Sequence, residues 1–208
     1  MLHYETVAPP TLSLLKELML MPELKDSFLV GGTALSLKHG HRISVDIDLF
    51  QNDFLDTEKV SAALLNKFKK NYINENLKIK FAIFCTINTI KTDIVHYPHK
   101  LIGKPEVIDG IRMLSDMDIA AMKINAILGR GVKKDFFDLY ELLKIYSLKD
   151  IIQWHKEKYP SQMLLISIPN AIIYFIDAEE SPNPKTLNGE TWENVKAFLQ
   201  KKVREYLS

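Results

Sequence analysis

The sequence predicts an α/β half over residues 1–115 followed by an all-helical half over residues 116–208. Three observations carry this. Before residue 115, short apolar runs are punctuated by turn signals such as Gly31-Gly32 and Asp109-Gly110. Between them, Val45 to Phe50 alternates apolar and polar residues. From Ser115 onward, apolar residues recur every three to four positions.

Thr11 is placed to cap a first helix whose apolar positions Leu12, Leu15, Leu18 and Met19 share one face. Phe28-Leu29-Val30 reads as a short buried strand stopped by Gly31-Gly32. Thr33 to His39 then forms a short helix ended around Gly40. In the next strand, Val45, Ile47 and Leu49 point into the core while Asp46 and Asp48 point the other way. Asp56 or Thr57 caps a helix carrying Val60, Ala63, Leu64 and Phe68. Residues 77 to 97 read as two strands, KIKFAIFC and TIKTDIVHYP, with Asn88 near the turn. VIDGIRML is a hairpin, because Asp-Gly favours tight turns with positive φ. The helices that follow are Asp116 to Leu128, Lys133 to Ile145 and Leu148 to Lys158. DAEESPNPKTLNGE is a loop, and the last helix, Glu190 to Leu207, buries Trp192, Val195, Leu199 and Val203.

Composition narrows the function classes. The 208 residues are 47% hydrophobic and 25% charged, an ordinary balance for a soluble globular chain. A formal net charge of +1 excludes a global polyanion-binding signature, so a nucleic-acid partner would need a local basic face. Cys85 is the only cysteine, which excludes an intramolecular disulfide and fits a reducing compartment. MLHYETVAPP lacks the charged and apolar regions of a signal peptide, and no apolar run approaches a membrane span. A cytoplasmic protein without a membrane partner is the expectation.

Chemistry concentrates in LVGGTALSLKHGHRISVDIDLF. Gly31 and Gly32 let the backbone approach a triphosphate, the start of the following helix offers free N–H groups, and the Thr33 hydroxyl adds a donor. Asp46 and Asp48, on one face of their strand, suit divalent metal. A third carboxylate should come from a neighbouring strand with the same facing, and Asp93 in TDIVHYP fits. This order points to nucleotidyl transfer, in which two metal ions neutralise charge as a hydroxyl attacks the α-phosphorus and pyrophosphate leaves. Arg42 and Ser44, between the glycines and the aspartates, join Gly31, Gly32 and Thr33 in the candidate nucleotide-binding set. Lys123 and Arg130, seven apart on a helix, are candidates for the β- and γ-phosphates. Asp135 and Asp138, three apart, are placed to orient them or to contact the base.

Each piece has a plainer reading. Gly-Gly before a helix is usually a turn, and Asp-x-Asp also serves glycosyltransferases. Lys123 and Arg130 would by default be solvated helix charges, and Asp135 a favourable residue at a helix start. His39, His41, His96 and His99 lack metal-site spacing, and Trp154 and Trp192 read as core. The ordered combination is much more specific than its parts.

GGTALSLKHGHRISVDIDLF, TDIVHYP and DIAAMKINAILGRGVKKDFFDLYELL resemble the successive motifs of the AbiEii/AbiGii-type nucleotidyltransferase toxins, within the DNA polymerase β nucleotidyltransferase superfamily. The resemblance runs from about Phe28 to Leu143. It implies a nucleotidyltransferase fold, with a small mixed sheet flanked by helices and a helical C-terminal half. It implies Mg2+ or Mn2+, an NTP donor and a cognate antitoxin encoded nearby. Asp46 and Asp48 then correspond to the family's metal pair, and Lys123 and Asp135 to its later functional positions. Thr33 stands where the wider superfamily usually has Ser, and Asp93 matches by position and facing more than by motif. The expected function is an RNA-modifying toxin acting on an acceptor such as a tRNA end. The alternatives are a small-molecule, antibiotic-type nucleotidyltransferase and a catalytically silent binding module.

Overall fold

A computed structural model describes residues 1–75 and 78–208. Helix α1 spans Pro9–Met19. It starts before Thr11, because Pro9 and Pro10 occupy the first turn, where a missing N–H costs nothing; Thr11 is buried inside the helix instead of capping it. Strand β1 (Phe28–Leu29) passes almost directly into helix α2 (Gly31–His39), so both glycines belong to the helix start rather than to a turn before it. Gly40 ends α2 in the left-handed region at φ 70°.

Strand β2 covers Ile47–Gln51. Val45 therefore precedes the sheet and is 59% exposed, not in the core as the alternation suggested. The 41–44 segment is held elsewhere: Ser44 N–H donates to the Thr6 carbonyl, Ile43 N–H to Lys185, and Leu187 N–H to His41. Asp56 caps helix α3 (Thr57–Phe68) by accepting from Lys59 N–H. Next come β3 (Tyr72–Asn74), which has too few residues to show a periodic signal, β4 (Ala82–Ile87) and β5 (Ile90–His96). The strand start expected at Leu77 lies outside the described residues. Asn88 and Thr89 join β4 to β5 with φ of 50° and 68°, the two positive values a tight hairpin needs. Asp109 and Gly110, at 50° and 80°, do the same between β6 (Glu106–Ile108) and β7 (Ile111–Met113).

The sheet is mixed, in the order β3-β4-β5-β2-β1-β7-β6. β2 runs parallel to β5 and antiparallel to β1, and β1 runs parallel to β7. The helical half comprises α4 (Asp116–Gly129), α5 (Lys133–Leu142), α6 (Leu148–Lys158), α7 (Ile168–Ile172), α8 (Ile176–Glu179) and α9 (Trp192–Leu207). α5 stops at Leu142, short of the expected Ile145, and α7 and α8 are too short to register as periodic patterns.

One apolar core runs from Leu14 and Leu18 of α1, through Leu29, Ile47 and Ile94 of the sheet, to Ile124, Phe136 and Val195 of the helices. Each such side chain contributes about 1.5–3 kcal/mol by leaving water, so the two halves hold one another in place. Trp192 packs edge-on against Phe136 and Phe175, a core role as expected. A fully buried ion pair, Lys158 to Asp118 at 2.8 Å, ties α6 to α4, and Asp118 also accepts from the Ile102 and Gly103 N–H groups.

Candidate active site

In the parallel β2–β5 pair, Asp48 stands directly opposite Asp93. The period of two therefore puts both on one face of adjacent strands, as the sequence indicated. Asp46 lies just ahead of β2, and all three line one cleft of about 470 Å³ between the sheet and α4. Burial, then the charge of Asp93, pushes the Asp48 carboxyl up to about 6 against the opposing pull of Lys123. Burial also raises Asp93, opposed by Lys91.

The carboxylates do not converge as closely as expected. Among the described residues no three His, Cys, Asp or Glu side chains are gathered to hold a metal ion. Like charges repel, and the outer two are drawn aside: Asp46 toward Lys134 and Asp93 toward Lys91, each at 3.4 Å. The donor chemistry nevertheless suits a hard divalent cation. The three groups offer carboxylate oxygens, and Asp93 Oδ1 is buried without a hydrogen-bond partner, a costly arrangement that a cation would relieve.

The glycines prove necessary for intramolecular reasons. Gly31 has φ +69°, and a Cβ there would meet Asp48 Oδ2 at 2.7 Å. At Gly32 a Cβ would fall 2.0 Å from Arg42 Nη2. Arg42 was expected to bind nucleotide; it lines the cleft, but its guanidinium is buried and committed to Asp138, Nε to Oδ1 at 2.6 Å and Nη2 to Oδ2 at 2.8 Å. The Thr33 hydroxyl is likewise turned inward, donating to the Asp46 carbonyl and meeting Ser44 Oγ at 2.8 Å. It shapes the loop that presents Asp46. Ser44 lines the cleft beside it.

The far wall is a buried charge network. Lys123 Nζ sits 2.8 Å from Asp135 and 2.6 Å from Asp138, and Arg130 Nε reaches Asp135 at 3.2 Å. Asp135 and Asp138 thus do orient Lys123 and Arg130. Burial would raise Asp138, but Arg42 and Lys123 override it and hold the carboxyl well below the usual range. Asp138 also meets His41 Nε2 at 2.7 Å, so it is the hub of the network. Only its spacing from Asp135 hinted at this. Lys133 and Lys134 part company: Lys133 is buried, its ammonium on the Glu179 carbonyl at 2.9 Å, and only Lys134 lines the cleft. The other histidines are spread out, with His39 2.9 Å from Asp116 and His99 against the Tyr97 and Tyr159 rings.

Sequence reasoning did not find the cleft's other end, where Phe50, Val95, Tyr97, Met122 and Asn125 meet. Nothing in their local pattern separates them from ordinary strand and helix residues.

Comparison with known proteins places this arrangement. A family model described as the nucleotidyl transferase AbiEii toxin of type IV toxin–antitoxin systems matches residues 13–161. The uncharacterized protein aq_aa25 of Aquifex aeolicus (strain VF5) is 34% identical over 189 residues, 88% of each chain. Among solved structures, MenT4, nucleotidyltransferase toxin Rv2826c from Mycobacterium tuberculosis H37Rv, aligns with a TM-score of 0.61 at 11% identity, over 92% of this chain and 82% of that one. JHP933 from Helicobacter pylori aligns at 0.56 with 16% identity, over 96% and 92%. At such identities the structural likeness is one of fold. The family model, however, runs unbroken from α1 past the end of α6, well over half the chain, and on that ground the protein belongs to the AbiEii family of nucleotidyltransferase toxins.

Proposed function

We propose that this toxin moves a nucleoside monophosphate from an NTP to an acceptor hydroxyl on RNA, such as a tRNA end, with Mg2+ or Mn2+ bound by Asp46, Asp48 and Asp93. The observation that carries this reading is the level pairing of Asp48 and Asp93 in adjacent parallel strands, with the unpartnered Asp93 Oδ1 in a cleft also lined by Asp46. A divalent cation would supply charge neutralisation at the phosphate and acidify the attacking hydroxyl. The chain's own groups do the rest. The first N–H groups of α2 at Gly31 and Gly32 suit phosphate oxygens. Arg130, whose side chain is 60% exposed, and Lys134 bring positive charge to the β- and γ-phosphates. Lys123, fixed between Asp135 and Asp138, stands at the wall of the same cleft. Asp93, level with Asp48 in the cleft, is placed to take the proton of the attacking hydroxyl as pyrophosphate leaves.

Membership of a type IV family brings an antitoxin, and we place its gene near that of the toxin. No helix among the described residues is long and apolar enough to cross a membrane, which agrees with a cytoplasmic site of action. The test is incubation with each labelled NTP, Mg2+ or Mn2+, and total RNA, followed by separation of RNA, protein and small molecules. Label in RNA is the expected result. Label on a small molecule alone would replace the RNA acceptor with an antibiotic-type one.

A further inference from the structure

The cleft is chemically polarised along the strands. Asp48 and Asp93 stand level, Phe50 and Val95 stand level two residues on, and Tyr97 follows. At about 3.3 Å per residue, Tyr97 lies roughly 13 Å beyond Asp93. α4 faces this row in the opposite sense. Arg130, just past its C-terminus, feels the charge of Asp48, whereas Asn125 shares with Tyr97 both the cleft and the neighbouring cavity lined by Gln162. The charged groups gather at one end, where Phe84 stands opposite Asp93, and the other end is aromatic and apolar with a single amide. Asn125 is the only amide side chain among the described residues lining the cleft.

One neighbour orients that amide. Gln162 Nε2 donates to Asn125 Oδ1 at 2.8 Å, and the Gln162 backbone N–H is fastened to the Tyr159 carbonyl at 3.1 Å. With Gln162 bonded to its oxygen, Asn125 has both N–H groups to offer the cleft. A nucleoside triphosphate carries the matching polarity: phosphates at one end, a flat base with hydrogen-bonding edges at the other.

Building on the reading of an NTP donor, we propose that the Phe50–Val95–Tyr97 end receives the donor's base and that Asn125 selects it by donating to an exocyclic carbonyl. Guanine, cytosine and uracil each present such a carbonyl; adenine presents an amino group instead. The site therefore disfavours ATP. Gln162 acts as a positioning residue, setting which end of the amide meets the base.

Calorimetric titration of ATP, GTP, CTP and UTP in Mg2+ tests this in three proteins. Wild type should bind ATP at least about tenfold more weakly than the best of the other three, the scale of one mismatched hydrogen bond. Asn125→Asp, which replaces the donor by an acceptor of the same shape, should shift the ratio of ATP to that nucleotide toward ATP by about tenfold or more. Gln162→Ala, which frees the amide to rotate, should narrow the wild-type ratio. Equal affinities in wild type, or ratios unchanged in both variants, overturn the proposal, and Asn125→Ala supplies the answer should the acid variant fail to fold. Transfer is scored separately. Selective binding with no transfer of label would sink the proposed reaction and leave the base site standing; binding of no NTP would sink both.

Discussion

Gly32→Ala separates two explanations of the same glycine. Read from sequence, Gly32 exists so that a triphosphate can come close, and a side chain there would cost nucleotide affinity alone. In the structure the added Cβ would lie 2.0 Å from Arg42 Nη2. Carbon contacts are comfortable near 3.5 Å, so the guanidinium must retreat by about 1.5 Å. It is held by bonds of 2.6 and 2.8 Å to a fully buried Asp138, and such a retreat breaks both. Breaking a buried pair costs about 3–5 kcal/mol. Asp138 retains Lys123 and His41, which favours the lower figure. For a chain of this length, about 3 kcal/mol is roughly 6–12 °C in melting temperature. Thermal and urea unfolding of G32A, R42A and the double variant measure it. Because R42A removes the obstacle, adding G32A to it should cost less than about 1 kcal/mol, a coupling visible only in the cycle. A G32A protein that melts with wild type yet binds NTP poorly would refute the steric argument and restore the phosphate one.

Asp48→Asn should lower transfer at least about 100-fold, as loss of a strong transition-state stabiliser does, and wild-type activity in that variant would end the metal assignment. The same variant should gain stability in cation-free buffer. Asp48 holds its proton up to about pH 6 in the folded chain, against about 4 unfolded, so wild-type stability falls as pH rises through that window. The advantage of D48N over wild type should then grow by about 2–3 kcal/mol between pH 4 and pH 8; an advantage that does not grow contradicts the buried-charge account. Lys133→Ala should lower stability by about 1–3 kcal/mol with catalysis intact, because its ammonium is bound to the Glu179 carbonyl. Lys134→Ala should instead leave melting unchanged and weaken NTP binding in calorimetry, because it removes positive charge from the phosphate end of the cleft. The opposite pattern for the two lysines would show that their places in the fold are misassigned. Chelation of divalent cations should abolish labelling and Mg2+ or Mn2+ restore it; transfer that survives chelation removes the cation from the reaction.

What was legible in the sequence were features written in local spacing. The alternation around Asp48 and Asp93 specified a shared face, and Asp109-Gly110 specified its hairpin. The apolar stripe of α9 named all four of its buried residues. What escaped depends on partners far along the chain. Arg42 looked available for phosphate because Asp138, which binds it, lies 96 residues away. Lys133 and Lys134 are neighbours of the same type, and only the helix rotation sends one to the interior. Thr33 and Val45 were misplaced because the 41–46 segment follows backbone bonds to Thr6 and to Lys185–Leu187 rather than the strand pattern. Asn125 and Tyr97 acquire meaning only when α4 is laid over β5.

The loop before α9 has a consequence for how the toxin comes into being. Through Lys185 and Leu187 it closes the outer edge of the segment bearing His41 and Ile43, and Ser181 Oγ accepts from the Lys133 N–H at the start of α5. A ribosome releases the chain N-terminus first at about 5–20 residues per second, so Lys185 and Leu187 emerge roughly 7–30 s after Ile43 and His41, and Ser181 roughly 2–10 s after Lys133. Over those intervals the 41–43 segment lacks its backbone bonds to Lys185 and Leu187, and the Lys133 N–H lacks the Ser181 hydroxyl that receives it. The site therefore takes its finished shape only after the loop before α9 has been made.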